Sequence, residues 1–211
     1  MSAELIERWS EGWAVSRGTA APVATGWGLR IEVGAPNQLR RHVLLDPQES
    51  GVRELVASIS EPHTWIKSYV EPAELAPWLS EEWTEDSPGW LMATDVAPAA
   101  VTVPDGYAVT SEVDGGVTYI RVLTADGSVA ARGQYGHVGE YGTVDKISTE
   151  PDHQRRGLGS VVMHSLANAA YEAGASASVL GATIEGRALY EALGWKVHAP
   201  LAGFVYRGGE I

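Results

Sequence analysis

The 211-residue chain contains no cysteine. That removes disulfides, thiolate metal sites and a cysteine nucleophile together. Basic residues are also scarce: 15 Lys and Arg stand against 27 Asp and Glu, for a formal net charge of -12. A protein that grips nucleic acid without regard to sequence needs a basic face, so the balance argues against that class. It leans slightly toward a cationic or amine ligand, although solubility alone accounts for most acidic proteins. The six histidines, His42, His63, His137, His153, His164 and His198, are scattered and form no His-Glu-x-x-His pair, which argues against a metal. No apolar run approaches membrane-spanning length, and the N-terminus is charged throughout, without the apolar stretch of a signal peptide. The expectation is a cytoplasmic protein with neither a membrane nor a nucleic acid among its partners; a homodimer stays open.

What remains is an ordinary globular composition, 45% hydrophobic and 20% charged. The length suits one large domain or two small ones. The stretch Ala97-Pro98-Ala99-Ala100-Val101-Thr102-Val103-Pro104 is small-residue and proline-rich, and reads as a linker or an extended crossing segment. Before it, residues 1–96 predict an α+β half. Leu5, Ile6, Trp9 and Trp13 recur at helical spacing. Strands are expected over 28–33 and 41–45, joined by a turn at 34–37. A helix over 48–59 would carry Val52, Leu55, Val56 and Ile59 on one stripe, and another strand follows over 64–70. Six of the eight tryptophans precede residue 85, and core or interface packing is their expected role ahead of a stacking platform for an aromatic substrate.

Residues 105–211 are more regular. Strands are expected over 107–113, 117–123, 128–135 and 142–149, with Asp126-Gly127 as a hairpin turn and Glu150-Pro151 as the final stop. A helix over 157–173 is stopped by Gly174, a strand covers 176–180, and a short helix over 185–193 closes at Gly194. Residues 196–198 and 204–207 are expected as an antiparallel pair. The order β-β-β-β-α-β-α-β-β defines an α/β fold with a mixed sheet flanked by helices.

The loop from Glu150 to Ser160 joins a strand to a helix N-terminus, where free backbone amides and the helix dipole favour an anion. Gly157 and Gly159 would let a phosphate approach the backbone, and Arg155 and Arg156 add charge beside it. Lys146, Arg155 and Arg156 are three of the eight Lys and Arg in the second half of an acidic chain, a local reversal of sign. The string is neither a Walker A loop nor a Gly-x-Gly-x-x-Gly fingerprint. Taken alone it fits an anion site and a plain helix-start turn equally.

Its surroundings separate the two. Gln154-Arg155-Arg156-Gly157-Leu158-Gly159, following Ile147-Ser148-Thr149-Glu150-Pro151 and followed by Ala188-Leu189-Tyr190-Glu191-Ala192-Leu193-Gly194-Trp195, resembles the GCN5-related N-acetyltransferase (GNAT) superfamily over about residues 105–208. The resemblance implies a GNAT-like mixed sheet with acetyl-CoA as co-substrate and no metal. The backbones of Ile147, Ser148 and Thr149 would pair with the pantetheine arm, added as a strand where two neighbouring strands splay. Arg155, Arg156, Gly157, Leu158, Gly159 and Ser160 would hold the pyrophosphate. Thr183 falls where many members carry a cofactor-contacting asparagine. Tyr190 matches the tyrosine that protonates the departing sulfur, against its plainer reading as a core aromatic.

The base is less defined. The positions at which family members place a glutamate fall near Thr143 and Ser178, and neither hydroxyl can serve at neutral pH. Asp145 lies two residues from Thr143, on the same strand face, and is the first candidate. Glu140 and His137 come next; each of the three also fits a solvated loop or edge residue. The two helices that shape the acceptor pocket in the family have no room between 113 and 117. Residues 1–96 would therefore supply that wall, or form a degenerate second copy of the fold; with no second motif, one cofactor site is expected. The implied function is acetyl transfer to a primary amine of a small molecule by direct attack. A longer acyl donor, a protein N-terminal amine as acceptor and a non-catalytic acyl-CoA sensor are the alternatives.

Overall fold

The computed structural model describes residues 3–86 and 89–208. Residues 1–2, 87–88 and 209–211, which include the outer ends of both expected halves, lie outside the described residues. The chain opens with α1 (Ala3–Arg17), β1 (Val23–Thr25), β2 (Gly28–Ala35), β3 (Gln38–Leu44), α2 (Glu49–Ala57) and β4 (Thr64–Ser68). A short helix α3 (Pro72–Leu75) and β5 (Trp83–Glu85) lead to β6 (Gly89–Asp95). Then come β7 (Tyr107–Asp114), β8 (Val117–Thr124), β9 (Val129–Val138), β10 (Tyr141–Thr149) and α4 (Leu158–Glu172). The chain finishes with β11 (Ala177–Ala182), α5 (Ile184–Ala192) and β12 (Lys196–Tyr206).

All strands join one mixed sheet in the order β1-β2-β3-β4-β12-β6-β11-β10-β9-β8-β7, with β5 attached to β12. Two pairs are parallel, β3 with β4 and β10 with β11, and each is connected through a helix, α2 and α4. β6 precedes the proline-rich segment in sequence yet lies between β11 and β12, so the sheet is continuous across that segment. The segment itself is pinned to α4. Asn168 Oδ1 accepts from the Ala99 amide at 2.8 Å, and its Nδ2 donates to the Ala99 carbonyl at 2.9 Å.

The mixed sheet flanked by helices agrees with the expected fold. The end of the chain differs: residues 196–206 form one strand rather than an antiparallel pair. Pro200 supplies no ladder donor within it. A bulge between Val197 and Ala199 accommodates it, and up to Leu201 only β6 is paired there; β4 and β5 take over from Ala202 and Phe204. The short β1 and β5, and the β6 strand, carry weak alternation and were not expected.

Three apolar clusters fill the layers. Val162, Leu166 and Met163 of α4 pack on Ile120, Val122 and Ala131. On the other sheet face, Ile6, Trp9 and Trp13 of α1 pack with Ile31, Val43, Leu91, Val179 and Leu201. Each such buried side chain contributes about 2 kcal/mol. The third cluster sets Val52 and Leu55 of α2 against Leu44, Ile66 and Phe204. The tryptophans do serve packing: Trp9, Trp13, Trp83 and Trp195 are buried.

Helix α1 reaches unusually close to β9 and β10. A Cβ at Gly136 would lie 2.3 Å from the Gly12 carbonyl oxygen, and one at Gly12 would lie 2.4 Å from Thr143 Oγ1. The missing side chains let helix and sheet approach, and Thr143 Oγ1 then donates to the Trp9 carbonyl at 3.2 Å. Gln134 Nε2 reaches Ser16 Oγ at 2.8 Å. The helix thus occupies the face of the sheet opposite α4.

Two stability predictions follow from these contacts. Gly136→Ala must push α1 away, and should cost about 1–3 kcal/mol, read as a Tm fall of several degrees; Gly51→Ala, with open space around it, should not lower Tm. The second concerns His42, which is buried, lies tilted against Trp27 with ring centres 5.7 Å apart, and has neither ring nitrogen hydrogen-bonded. Burial first, then Arg40 and Arg30, push its pKa down from 6.5 to about 4. A depressed histidine adds stability that is complete above pH 6.5 and is lost as pH falls through 4, up to about 3 kcal/mol. Denaturant midpoints of the wild type should therefore fall between pH 6.5 and 4, and His42→Leu should flatten that slope; an unchanged slope would exclude His42 as its source.

Candidate active site

The parallel pairing of β10 with β11 covers only Tyr141 to Thr143 against Ala177 to Val179. Beyond that point the two strands part. β11 stays paired with β6 along its whole length, so β10 is the strand that leaves. Its departure coincides with a bulge between Asp145 and Ser148, where Lys146 takes a positive φ of 52°. The parted strands open a cleft of about 830 Å³, closed at one end by the start of α4 and along one wall by α5.

The expected site residues converge there. Ile147, Ser148 and Thr149 line the β10 wall; Arg155, Gly157, Leu158, Gly159 and Ser160 line the end wall, and Gln154 joins them. Gly157 caps α4 with φ 79° and ψ 3°, a left-handed conformation that suits glycine. The first amides of α4 are left without intrahelical acceptors and meet the cleft. Gly159 has a second role: a Cβ there would lie 2.9 Å from Leu189 Cδ2, so it also sets the approach of α4 to α5. Thr183 lines the cleft as the N-cap of α5, accepting from the Gly186 amide at 3.1 Å.

The two arginines of the loop part company. Arg155 lines the cleft. Arg156 instead donates to the Tyr107 hydroxyl and to the Asp152 carbonyl, both at 3.0 Å, bracing the turn at 151–153. Tyr107 completes this brace by a 2.8 Å hydrogen bond with His153 Nδ1.

Tyr190 projects from α5 into the same cleft and packs against Trp195 with ring centres 6.2 Å apart. Burial, and next the charge of Asp145, push its phenol up to about 12. It therefore holds its proton at neutral pH. Asp145 lines the cleft but is engaged. Its Oδ1 accepts from Arg17 Nη2 at 2.9 Å, and its Oδ2 accepts from Arg17 Nε and from Ser16 Oγ, the latter at 3.2 Å. Glu140 lies elsewhere, in a groove with Glu4, Glu7 and Glu11 of α1, roughly 16 Å along the strand from Asp145. Its carbonyl accepts from the Ser176 amide at 2.8 Å. His137 bonds the Gly139 carbonyl at 2.6 Å and does not line the cleft. Thr143 and Ser178 are buried beneath α1 and the core.

Arg17 was not foreseen. It sits at the far end of the chain from the motif, and only the docking of α1 brings it to Asp145; no local pattern marks it. Among the described residues, no group of three His, Asp or Glu could hold a metal, and no helix is long and apolar enough to cross a membrane.

The site is thus a cleft between parted parallel strands, beside a glycine-capped helix. Residues 109–197 match the family model described as the acetyltransferase (GNAT) domain. Over these residues the sequence carries the pattern of a GNAT domain. No curated protein matches the sequence. Among solved structures, a GCN5-related N-acetyltransferase from Kribbella flavida superposes with a TM-score of 0.69 at 18% identity, over 99% of this chain and 96% of that one. An acetyltransferase of the GNAT family from Novosphingobium aromaticivorans gives 0.62 at 17%, over 98% and 99%. At these identities the likeness is one of fold, and it runs through the N-terminal strands as well as the GNAT domain.

The separation of the two loop arginines is testable with coenzyme A as the probe. Arg155→Ala should weaken binding about tenfold, as loss of one charge-assisted hydrogen bond does, measured by calorimetry. Arg156→Ala should change affinity less than twofold and lower Tm instead.

Proposed function

We propose that the protein transfers the acetyl group of acetyl-CoA to a primary amine of a small molecule by direct attack. The observation that carries this reading is the parting of β10 from β11 next to the glycine cap of α4, with Tyr190 in the same cleft. In it, the α4 amides and Arg155 hold the pyrophosphate. The pantetheine arm lies along Ile147 to Thr149 as an added strand, using backbone groups on the edge that no longer pairs with β11. An amide of that bulged stretch polarises the thioester carbonyl.

The amine nitrogen attacks the carbonyl carbon, and the carbon–sulfur bond breaks as the tetrahedral adduct collapses. Tyr190 gives its proton to the leaving sulfur, and solvent restores it. The nitrogen's proton passes to Asp145, once its pairing with Arg17 opens. The end of α1, with Ser16 and Arg17, stands where an acceptor would enter, which supports the N-terminal half as the acceptor-side wall. The two β-β-α-β runs, β2-β3-α2-β4 and β9-β10-α4-β11, keep a distant duplication in view.

Acetyl-CoA at about 100-fold above its Kd should add about 2.7 kcal/mol, hence roughly 5–10 °C in Tm for a chain of this size. No shift would refute the donor. Thiol release over a panel of amines tests turnover, with longer acyl-CoA donors alongside. Tyr190→Phe should lower kcat about 100-fold while leaving the acetyl-CoA Kd nearly unchanged. With its pKa near 12, a loss of rate below pH 9 would have to come from another group.

A further inference from the structure

Resting on the reading of the cleft as an acyl-CoA site, a second cavity bears on the acceptor. A groove of about 550 Å³ runs across the α1 side of β8, β9 and β10 and shares Lys146, Ile147 and Ser148 with the cleft. It lies on the sheet face that α1 leaves open, because Arg132 alternates with Gln134 and Gly136, the two β9 residues that touch α1. Arg121, Arg132 and Lys146 line it, and its lining includes no carboxylate.

The arrangement of these cations is costly on its own. Arg121 and Arg132 are direct cross-strand partners, and like charges so placed destabilise a sheet. Glu112 pairs with Arg121 at 2.8 Å, whereas Arg132 has only the Ser148 hydroxyl, at 3.1 Å, among the described residues. Lys146 adds its charge from the left-handed bulge position. Three cations thus gather on one groove in a chain with a net charge of -12.

The interior beside α1 repeats the sign. Arg41 is only 7% exposed. Its guanidinium lies 3.7 Å from the ring centre of Trp13, and that of Arg17 lies 5.3 Å from the same ring. No carboxylate pairs with Arg41 among the described residues; the Gln38 amide oxygen serves it, at 2.9 Å once turned toward it. Burial and the charge of Arg17 pull its pKa down to about 10. Positive charge with so little carboxylate in direct contact fits a site whose counter-charge arrives with a ligand.

We propose that this groove receives a carboxylate of the acceptor, so that the substrate is an amino-acid-type amine held by Arg132 and Lys146 at the mouth of the cleft. The volume suits a small molecule. The overall acidity of the protein points the other way, toward cations, but a local field close to the reacting atoms outweighs distant charges screened beyond about 8–10 Å.

The test uses the full chain and matched ligand pairs, each an α-amino acid and the amine left by its decarboxylation, with aliphatic and aromatic side chains. Binding is followed by thermal shift and calorimetry, with and without desulfo-coenzyme A. At least one amino acid should bind ~10-fold or more tightly than its decarboxylated partner. Arg132→Gln should abolish that preference and raise Tm slightly, by removing the like-charge pair; Arg132→Lys should restore the preference. A merely structural arginine would lower Tm and leave the preference intact. The proposal is overturned if decarboxylated amines bind as well as or better than every amino acid, if no ligand pair is discriminated, or if Arg132→Gln keeps the preference. A failed acyl-CoA reading appears separately, as no response to acetyl-CoA.

Discussion

Everything at the candidate site depends on β10 abandoning β11 after three residue pairs. A strand that keeps its ladder offers nothing to a ligand, because its amides and carbonyls are already spent. The bulge at Lys146 turns the strand, leaves backbone groups available, and brings Ile147 to Thr149 opposite the first turn of α4. The strain is modest, since one residue at positive φ suffices, and the surrounding pairs with β9 hold the strand on both sides.

The close seating of α1 governs the other side of the site. Gly12 and Gly136 admit the helix to the sheet, and only at that distance do Ser16 and Arg17 meet Asp145. The helix also covers Thr143 and takes its hydroxyl into a hydrogen bond with the Trp9 carbonyl. One packing decision therefore seals one polar position and engages another.

What could be read from the sequence divides along the same line. The glycine cap, the Ile147 to Thr149 strand and the Tyr190 helix are local: each is specified by neighbours a few residues away, and each lines the cleft. The regular strands of 107–149 were legible from alternation and hairpin turns for the same reason. Arg17, and the turning of Arg156 toward Tyr107, were not, because they depend on contacts between distant segments. β6 was hidden by its setting, since a central strand covered on both faces loses the alternation that marks an exposed one. The unbroken run of β12 was not legible either: a bulge and a single paired edge let the strand continue through Pro200.

The continuity of β12 has a bearing on how the protein is made. This strand, complete only at Tyr206, is the neighbour that β4 and β6 both require. During synthesis β1 to β4 emerge first, and β4 keeps its outer ladder unfilled until β12 has been made. The nascent chain therefore carries an open sheet edge while everything between β4 and β12 is made, exposed to pairing with other chains. Completion comes in one late step, when a single strand enters between the two parts.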